Sequence, residues 1–306
     1  MNQTVPLKGI VLLLLLTVVW GVNWSMFKIA LEELGPWTLR GISLAFGTMA
    51  MFTVARLRGL SLKVPKEVRG RTVLAGLCNV GLWNVLTAYG VMHLPSGHAA
   101  VIGFSMPLWA ALIGFIFLGE RMNLRAIAAV ALGTVGLTLL MVDDFAKLGS
   151  SAALIGMGLM LAAANAWAVG TFIQKRTAWH MPLVSMAAWQ MLTGFVPIAV
   201  IAVVVEGGQF VPPSALVWGV LAFIGFVSLA VGMLTWYAIV QLLPTNVAAI
   251  GTVLVPVVAV VGGGLILHEE LGLIQAAALL ATVSALALVL IQPKPKPAAK
   301  VVPIEM

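Results

Sequence analysis

LPSGHAAVIGFSMPLWAALIGFIFLGE, residues 94–120, returns 149 residues further along the chain as LPTNVAAIGTVLVPVVAVVGGGLILHE, residues 243–269. The two stretches align without a gap. In the first copy the matched residues are Leu94, Pro95, Ala99, Ala100, Pro107, Ala110, Gly114, Leu118 and Glu120. An internal repeat within apolar sequence is typical of membrane carriers, in which the binding site lies where the two halves meet.

The repeat extends well beyond this stretch. Upstream, with a two-residue gap, Trp20 and Lys28 match Trp167 and Lys175. The sequence therefore predicts one repeat at residues 7–145, a second at 150–292 and a cytoplasmic tail at 293–306.

The composition places the chain in a membrane. Hydrophobic residues make up 61% of it and charged residues only 9%, whereas an ordinary soluble domain carries about 25% charged residues. A bilayer core of about 30 Å needs roughly 20 apolar residues per helix. Ten runs meet this length: 8–28, 37–56, 72–91, 97–118, 124–142, 152–174, 183–205, 214–240, 245–267 and 271–291. The predicted fold is an all-α integral membrane protein, with ten transmembrane helices in two inverted five-helix repeats around a central cavity.

The basic residues predict the orientation of these helices. Fourteen of the 17 Lys and Arg residues fall on one side of the membrane if both termini are cytoplasmic, as the preference of basic residues for cytoplasmic loops requires. Because five helices per half is an odd number, the two halves must be inverted relative to each other.

The sequence offers no basis for catalysis. It has no nucleotide-phosphate loop, zinc-protease motif or nucleophile elbow, and the predicted helices hold almost no ionisable groups. No catalytic residue, cofactor or metal site is predicted, and Cys78 is the only cysteine. The net charge of +7 is attributed to loops that face anionic lipid rather than nucleic acid. The expected partners are the bilayer and a small-molecule substrate; a monomer is compatible with the sequence, which leaves the oligomeric state open.

Aromatic and amide residues form stripes on several predicted helices. In the first helix Trp20, Asn23, Trp24 and Phe27 are spaced to share one face. Other predicted helices contribute Asn79 and Trp83, Asn165 and Trp167, and Trp236. An amide that faced lipid would lack a partner, so we expect these residues to line a substrate cavity. The alternative is that Trp marks the membrane interface and Asn joins neighbouring helices.

Two prolines and two histidines are candidates for moving parts. Pro107 and Pro256 occupy equivalent places within predicted helices 4 and 9, where proline removes a backbone hydrogen bond and bends the helix. We expect each to act as a hinge, and a static bend is the alternative. His93 and His98 flank the turn between predicted helices 3 and 4; contact with water is expected for both, and a proton relay is the alternative.

Three segments resemble the EamA repeat of ten-helix exporters in the drug/metabolite transporter superfamily. They are Trp20-Gly21-Val22-Asn23-Trp24, Pro36-Trp37-Thr38-Leu39-Arg40, and the run from Ala99 through Pro107 to Leu118-Gly119-Glu120-Arg121. The second copy departs from the pattern at Gly170, where Asn is expected, and at His268, where Gly is expected. The chain is most similar to YddG-like exporters of aromatic and other neutral amino acids. That resemblance implies a cavity formed by helices 1, 3, 4, 6, 8 and 9 and places near the substrate Trp20, Trp83, Phe104, Met106, Trp167 and Trp236.

A site of indole, phenyl and amide groups without fixed charge suits a neutral or zwitterionic solute. We therefore expect export of aromatic and other neutral amino acids across the bacterial inner membrane by alternating access. The alternatives are an exporter of other small metabolites or lipophilic cationic drugs, and a non-transporting membrane scaffold. A drug-cation pump should hold a carboxylate within the membrane, and a scaffold needs no inverted duplication.

Overall fold

The computed structural model describes residues 6–118, 124–148, 150–243 and 245–290. Glu120, Pro244 and the predicted tail 293–306 lie outside these ranges. Each of the ten predicted spans corresponds to a helix. The helices are α1 Leu7–Leu31, α2 Pro36–Leu57, α3 Lys66–His93, α4 in two pieces at Ser96–Gly103 and Met106–Leu118, α5 Leu124–Leu148, α6 Ser150–Lys175, α7 Leu183–Glu206, α8 residues 215–242, α9 Thr245–Leu267 and α10 Leu273–Leu290.

The surface of the bundle is that of a membrane protein. Within the described residues, seven helices are long and apolar enough to cross a bilayer, and two shorter apolar helices run Val253–Leu267 and Leu273–Leu288. Large apolar side chains point outward from several helices, among them Val204 at 78% and Leu273 at 90% exposure. Apolar surface of this extent belongs in lipid, and the prediction of an all-α integral membrane protein is confirmed.

The helices pair in a pattern that is unchanged when the two halves are exchanged. Helix α5 packs on α10, α2 packs on α7, and α4 packs on α9. The cross-pairs also come in matched sets: α1 contacts α9 and α8, and α6, its repeat counterpart, contacts α4 and α3. Such pairing agrees with two five-helix halves related by a twofold axis.

Four of these helices, α3, α4, α7 and α8, are irregular. π-helical stretches occupy Leu77–Leu82 in α3, Ala202–Glu206 at the end of α7 and Phe223–Val231 in α8. The offset of 149 residues takes 77–82 onto 226–231, so the stretches in α3 and α8 are repeat counterparts. Helix α4 is interrupted at Phe104 and Ser105, between its two pieces. Wide π turns inside α-helices are frequent at functional sites.

Candidate functional site

Four predicted site residues form a contact chain that includes both halves of the molecule. The ring of Trp24 in α1 lies edge-on to those of Trp83 in α3 and Phe104 in α4, with 6.3 Å between centroids in both pairs. Trp83 in turn contacts Trp167 in α6 at 5.0 Å. We call Trp24, Trp83, Phe104 and Trp167 the aromatic cluster. Trp24 is 3% exposed and Phe104 is 8% exposed, so these two rings are packed rather than open to solvent.

Trp20 and Trp236 form a second, separate pair. Their centroids are 6.1 Å apart, and both rings pack against the apolar group Leu13, Leu16, Ile239 and Leu243. The Trp20 indole N–H donates to the Ser228 carbonyl at 3.1 Å, in the π-helical stretch of α8. The expected proximity of α1 and α8 is therefore present, although no ring contact joins this pair directly to the aromatic cluster within the described residues.

The predicted amide residues differ in their surroundings. Asn23 and Asn79 are both buried, and the Oδ1 atom of each lacks a hydrogen-bond partner. Asn79 packs against Gly170 of α6, where an added Cβ would collide with its amide. Gly170 stands at the position that Asn23 occupies in the first repeat, 147 residues earlier. The departure of the second copy from the repeat pattern thus has a steric cause, because the Asn79 amide already fills that space.

Two further predicted residues make more ordinary contacts. Asn165 is half-buried and donates its amide to the Leu161 carbonyl of its own helix at 2.9 Å. Met106, also half-buried, packs against the main apolar core. Neither contact points to a ligand, so a binding role for these two residues stays a prediction.

The two predicted hinge prolines differ in local structure. Pro256 lies inside the continuous helix α9, whereas Pro107 is the second residue of the second piece of α4. Proline fits the first turn of a helix because no N–H is needed there. Its missing N–H leaves Gly103 without the usual helical donor, and the backbone departs from the helix just before it, with Phe104 at φ −74° and ψ 0°.

Side chains stabilise the interruption in α4. The Ser105 hydroxyl donates to the Ile102 carbonyl at 2.6 Å, and the Trp109 indole N–H donates to the Ser105 hydroxyl oxygen at 3.1 Å. Phe104 and Met106 flank Ser105, so the interruption decides where both predicted site residues point.

One end of the bundle is joined by carboxylates that bind the first turns of other helices. Glu206, at the end of α7, accepts hydrogen bonds from the amides of Trp37 at 3.2 Å and Thr38 at 2.8 Å. Glu33, between α1 and α2, accepts from both the amide and the hydroxyl of Ser214 at 2.6 Å. The Ser214 hydroxyl and amide lower the pKa of Glu33. A helix N-terminus attracts negative charge, which makes these contacts favourable.

A third carboxylate at this end joins three helices. Glu269, after α9, accepts hydrogen bonds from Ser96 and Gly97 at the start of α4. Its Oε1 atom lies 3.7 Å from Lys28 Nζ, and Lys28 also donates to the Leu94 carbonyl at 2.9 Å. We call the end of the bundle defined by Glu33, Glu206 and Glu269 the acidic end.

A cavity of about 200 Å³ lies at the acidic end. Its walls carry Lys28, Pro95, Gly97, His98, Val260, Glu269, Glu270, Leu271 and Gln275. His98 is 5% exposed, so the prediction that it lies in water is wrong for this residue, because the first turn of α4 is covered by α9. The predicted central cavity at the aromatic cluster remains a prediction.

Sequence analysis missed one buried cation. Arg40, in the second turn of α2, is 0% exposed. Its Cζ atom lies 3.7 Å from the Phe27 ring centroid, and its Nη2 donates to the Thr87 hydroxyl oxygen at 2.8 Å. The position of an arginine inside the apolar run 37–56 was the available signal, but the sequence does not show that the side chain turns inward.

Comparison with known proteins identifies the family and several relatives of this chain. The model of the EamA-like transporter family matches residues 7–142 and again 154–291. The uncharacterized transporter YvbV of Bacillus subtilis is 29% identical over 301 residues, covering 98% of this chain and 97% of that protein. A probable amino-acid metabolite efflux pump of Escherichia coli is 27% identical over 279 residues, covering 86% and 88%.

A third relative and a solved structure agree with the match to this family. A probable terminal-alkyne amino-acid exporter of Streptantibioticus cattleyicolor is 28% identical over 259 residues, covering 83% of this chain and 84% of that protein. One crystal structure superposes with a TM-score of 0.64 at 20% identity, covering 90% of this chain and 94% of its own, which shows the same fold. The chain therefore belongs to the EamA-like transporter family, and is a multi-pass membrane transporter rather than an enzyme.

Proposed function

We propose that this transporter exports neutral amino acids, aromatic ones included, across the bacterial inner membrane by alternating access. The observation that carries the proposal is the contact chain Trp167–Trp83–Trp24–Phe104, which draws its rings from both halves. Ring faces and edges bind apolar and aromatic side chains without demanding one exact shape. Relatives named as amino-acid metabolite efflux pump and amino-acid exporter support the same class of cargo.

The substrate region in this proposal comprises the predicted residues Trp20, Asn23, Trp24, Asn79, Trp83, Phe104, Met106, Asn165, Trp167 and Trp236. The unpartnered Oδ1 atoms of Asn23 and Asn79 support its polar part, because a buried acceptor without a donor is unfavourable until a ligand supplies one. The amino group of an amino acid is such a donor.

The proposed orientation assigns the acidic end to one side of the membrane. Basic residues at the facing ends of α2 and α3 and between them, such as Arg56, Arg58 and Arg69, belong to the cytoplasmic side by the preference of basic residues for that side. The acidic end then faces outward, and both termini lie in the cytoplasm. The contacts of Glu33, Glu206 and Glu269 tie helices of both halves together at the outward side in this arrangement.

Flux measurements in proteoliposomes test the function. The purified protein is reconstituted and counterflow is measured with radiolabelled phenylalanine, leucine, alanine, uridine, glucose and a lipophilic cation such as tetraphenylphosphonium. We expect exchange of the neutral amino acids above protein-free liposomes. Exchange of the nucleoside, the sugar or the cation alone would contradict the proposal.

The same liposomes test coupling to protons. The described membrane helices hold no carboxylate beside the aromatic cluster, so we expect flux driven by the substrate gradient, or proton linkage through His93 or His98. An imposed pH gradient separates the two mechanisms. Proton-driven accumulation that persists in a His93→Gln/His98→Gln variant would contradict both.

A further inference from the structure

The guanidinium of Arg40 has more hydrogen-bond donors than the protein satisfies. Only Nη2 has an acceptor, the Thr87 hydroxyl oxygen, while Nε and Nη1 have none. These two nitrogens carry three N–H groups. Within the described ranges no carboxylate forms an ion pair with Arg40. A fully buried cation without a counter-ion is unfavourable, and in a membrane protein such a residue usually marks a functional site.

Arg40 is connected to the proposed substrate region through Phe27 and Thr87. Its Cζ atom lies 3.7 Å from the centroid of the Phe27 ring. Phe27 lies 6.0 Å from Trp24, which belongs to the aromatic cluster. On the other side Thr87 lies one turn after Trp83 in α3, and its hydroxyl donates to the Trp83 carbonyl at 2.7 Å. The cation and the aromatic rings are therefore connected through both α1 and α3.

The packing of the repeat does not itself require a cation at this place. Helix α7 is the repeat counterpart of α2, and residues 183–206 contain no Lys or Arg. Offsets of 147 and 149 residues place Ala187 and Trp189 at the position that corresponds to Arg40. Because α7 takes its place in the helix pairing without a basic residue, Arg40 has a role that belongs to the first half only.

We infer that Arg40 binds the carboxylate of the transported amino acid. The planar guanidinium matches a carboxylate through two parallel N–H groups. Nη2 carries two N–H groups and gives one to Thr87, so its other N–H can form such a pair with the adjacent N–H of Nε or Nη1, both of which lack a partner. The apolar side chain of the substrate then lies toward the aromatic cluster. The Phe27 ring stabilises the cation by a cation–π contact while no substrate is bound. This assignment rests on the proposed function, since it specifies how that site recognises its cargo.

The test compares two substrates that differ only at the carboxylate. Counterflow of phenylalanine and of phenylalanine amide is measured in liposomes with the wild-type protein and with Arg40→Gln and Arg40→Lys. A hydrogen-bonded carboxylate–guanidinium contact corresponds to about 10-fold to 100-fold in affinity. We expect the wild type to prefer phenylalanine by at least about tenfold, Arg40→Gln to lose this preference, and Arg40→Lys to keep part of it. The ratio is measured within each variant, so a fraction of misfolded protein does not change it.

The possible outcomes separate this inference from the proposed function. Wild-type counterflow of neither substrate contradicts the proposed function, and the role of Arg40 falls with it. If the wild type carries phenylalanine and the amide equally well, export stands and the carboxylate contact is refuted. An Arg40→Gln variant that keeps the wild-type ratio, or loses both fluxes alike, gives Arg40 a packing role only.

A matched control is available at the opposite end of the bundle. Arg176, after α6, also lies over a phenylalanine ring, with Cζ 4.6 Å from the Phe172 centroid, but it is exposed. Arg176→Gln removes a similar cation–π contact outside the proposed site. We expect it to leave the ratio of phenylalanine to phenylalanine amide at the wild-type value.

Discussion

The Glu269 carboxylate joins the end of α9 to the start of α4 through Ser96, with Oε1 2.7 Å from the Ser96 amide and Oε2 3.0 Å from its hydroxyl. The ion pair with Lys28 adds α1 to the same contact. Helices from both halves are thus tied together at the acidic end, and that end can open only if these bonds break.

Glu269→Gln should shift the carrier toward a state open at the acidic end. The amide keeps the size of the side chain but removes the charge, and hydrogen bonds to a charged group contribute about 1.5–3 kcal/mol. Maleimide labelling of Val260→Cys in a Cys78→Ser background reports the opening, because Val260 lines the cavity there. We expect labelling from the acidic side to be several-fold faster. Glu32→Gln, an exposed acid at the same end, is the control, and an unchanged rate in Glu269→Gln would refute the role of this contact.

Trp167→Ala and Trp20→Ala should each reduce amino-acid flux by about twofold to tenfold while the protein stays folded. Each change removes one ring contact of the proposed substrate region, which contributes about 0.5–1.5 kcal/mol beyond the buried area. Proteoliposome flux and thermal unfolding of the same preparations measure the two effects. Trp218→Ala is the control, because Trp218 is 39% exposed near the start of α8. Wild-type flux in both test variants would show that these rings do not line the substrate path.

Gly170→Ala should destabilise the protein by about 1–3 kcal/mol, as expected when a methyl group is added to a filled space. The reason is the collision with the Asn79 amide, so in an Asn79→Ala background the same change should have little further effect. The midpoint of thermal unfolding measures both. Gly158→Ala in the same helix is the control, because nothing lies within 4 Å of an added Cβ there. Equal effects of Gly170→Ala in the two backgrounds would contradict the steric account.

Pro107→Ala and Pro256→Ala should slow transport and bias the carrier toward opposite faces. Pro107→Ala supplies the N–H that Gly103 lacks and favours a continuous α4, whereas Pro256→Ala stiffens a helix that is already continuous. Cysteine accessibility from each side, with Cys78 first replaced by Ser, reports the bias. Identical labelling of the two variants and the wild type would make both prolines static bends.

Acid should weaken the contact between Glu33 and Ser214. The two hydrogen bonds from Ser214 lower the pKa of Glu33 below its ordinary value of 4.5. A carboxyl with a lowered pKa in the folded state stabilises that state above its ordinary pKa, and this stabilisation is lost as the pH falls through the lowered value. Glu33→Gln should therefore unfold at a lower temperature than the wild type at pH 7, and the difference should shrink as the pH falls below 4.5 and through the lowered pKa of Glu33. A difference that is constant with pH would contradict the assignment.

The ten helices could be predicted because each is an apolar run of membrane length, and their arrangement could be predicted because the runs repeat. The pair Trp83 and Trp167 was found in the same way, since each residue lies in a stripe of aromatic and amide residues. These features depend on local composition and on the comparison of one half with the other. They need no knowledge of which helices are neighbours.

The features that were missed depend on contacts between helices that are distant in sequence. Glu206 and Trp37 are separated by 169 residues, and only the packing of α7 on α2 brings them together. The burial of Arg40 likewise follows from Phe27 and Thr87 lying on either side of it. The interruption at Phe104 depends on the absent N–H of Pro107. The sequence could therefore have predicted a break in the helix three residues before this proline.

The paired π turns of α3 and α8 change which residues share a face. An α-helix turns by about 100° per residue, so a wide turn that holds one surplus residue rotates everything after it relative to everything before. Asn79 lies within the π-helical stretch of α3 and packs on α6, whereas Trp83 and Thr87 both follow that stretch; Trp83 contacts α1 and α6, and Thr87 reaches Arg40 in α2. Each π turn lies in a helix that contributes residues to the proposed site. If the π turn moves by one residue along its helix, one hydrogen bond changes its acceptor, the side chain at that position rotates by about 100° about the helix axis, and the ends of the helix stay in place.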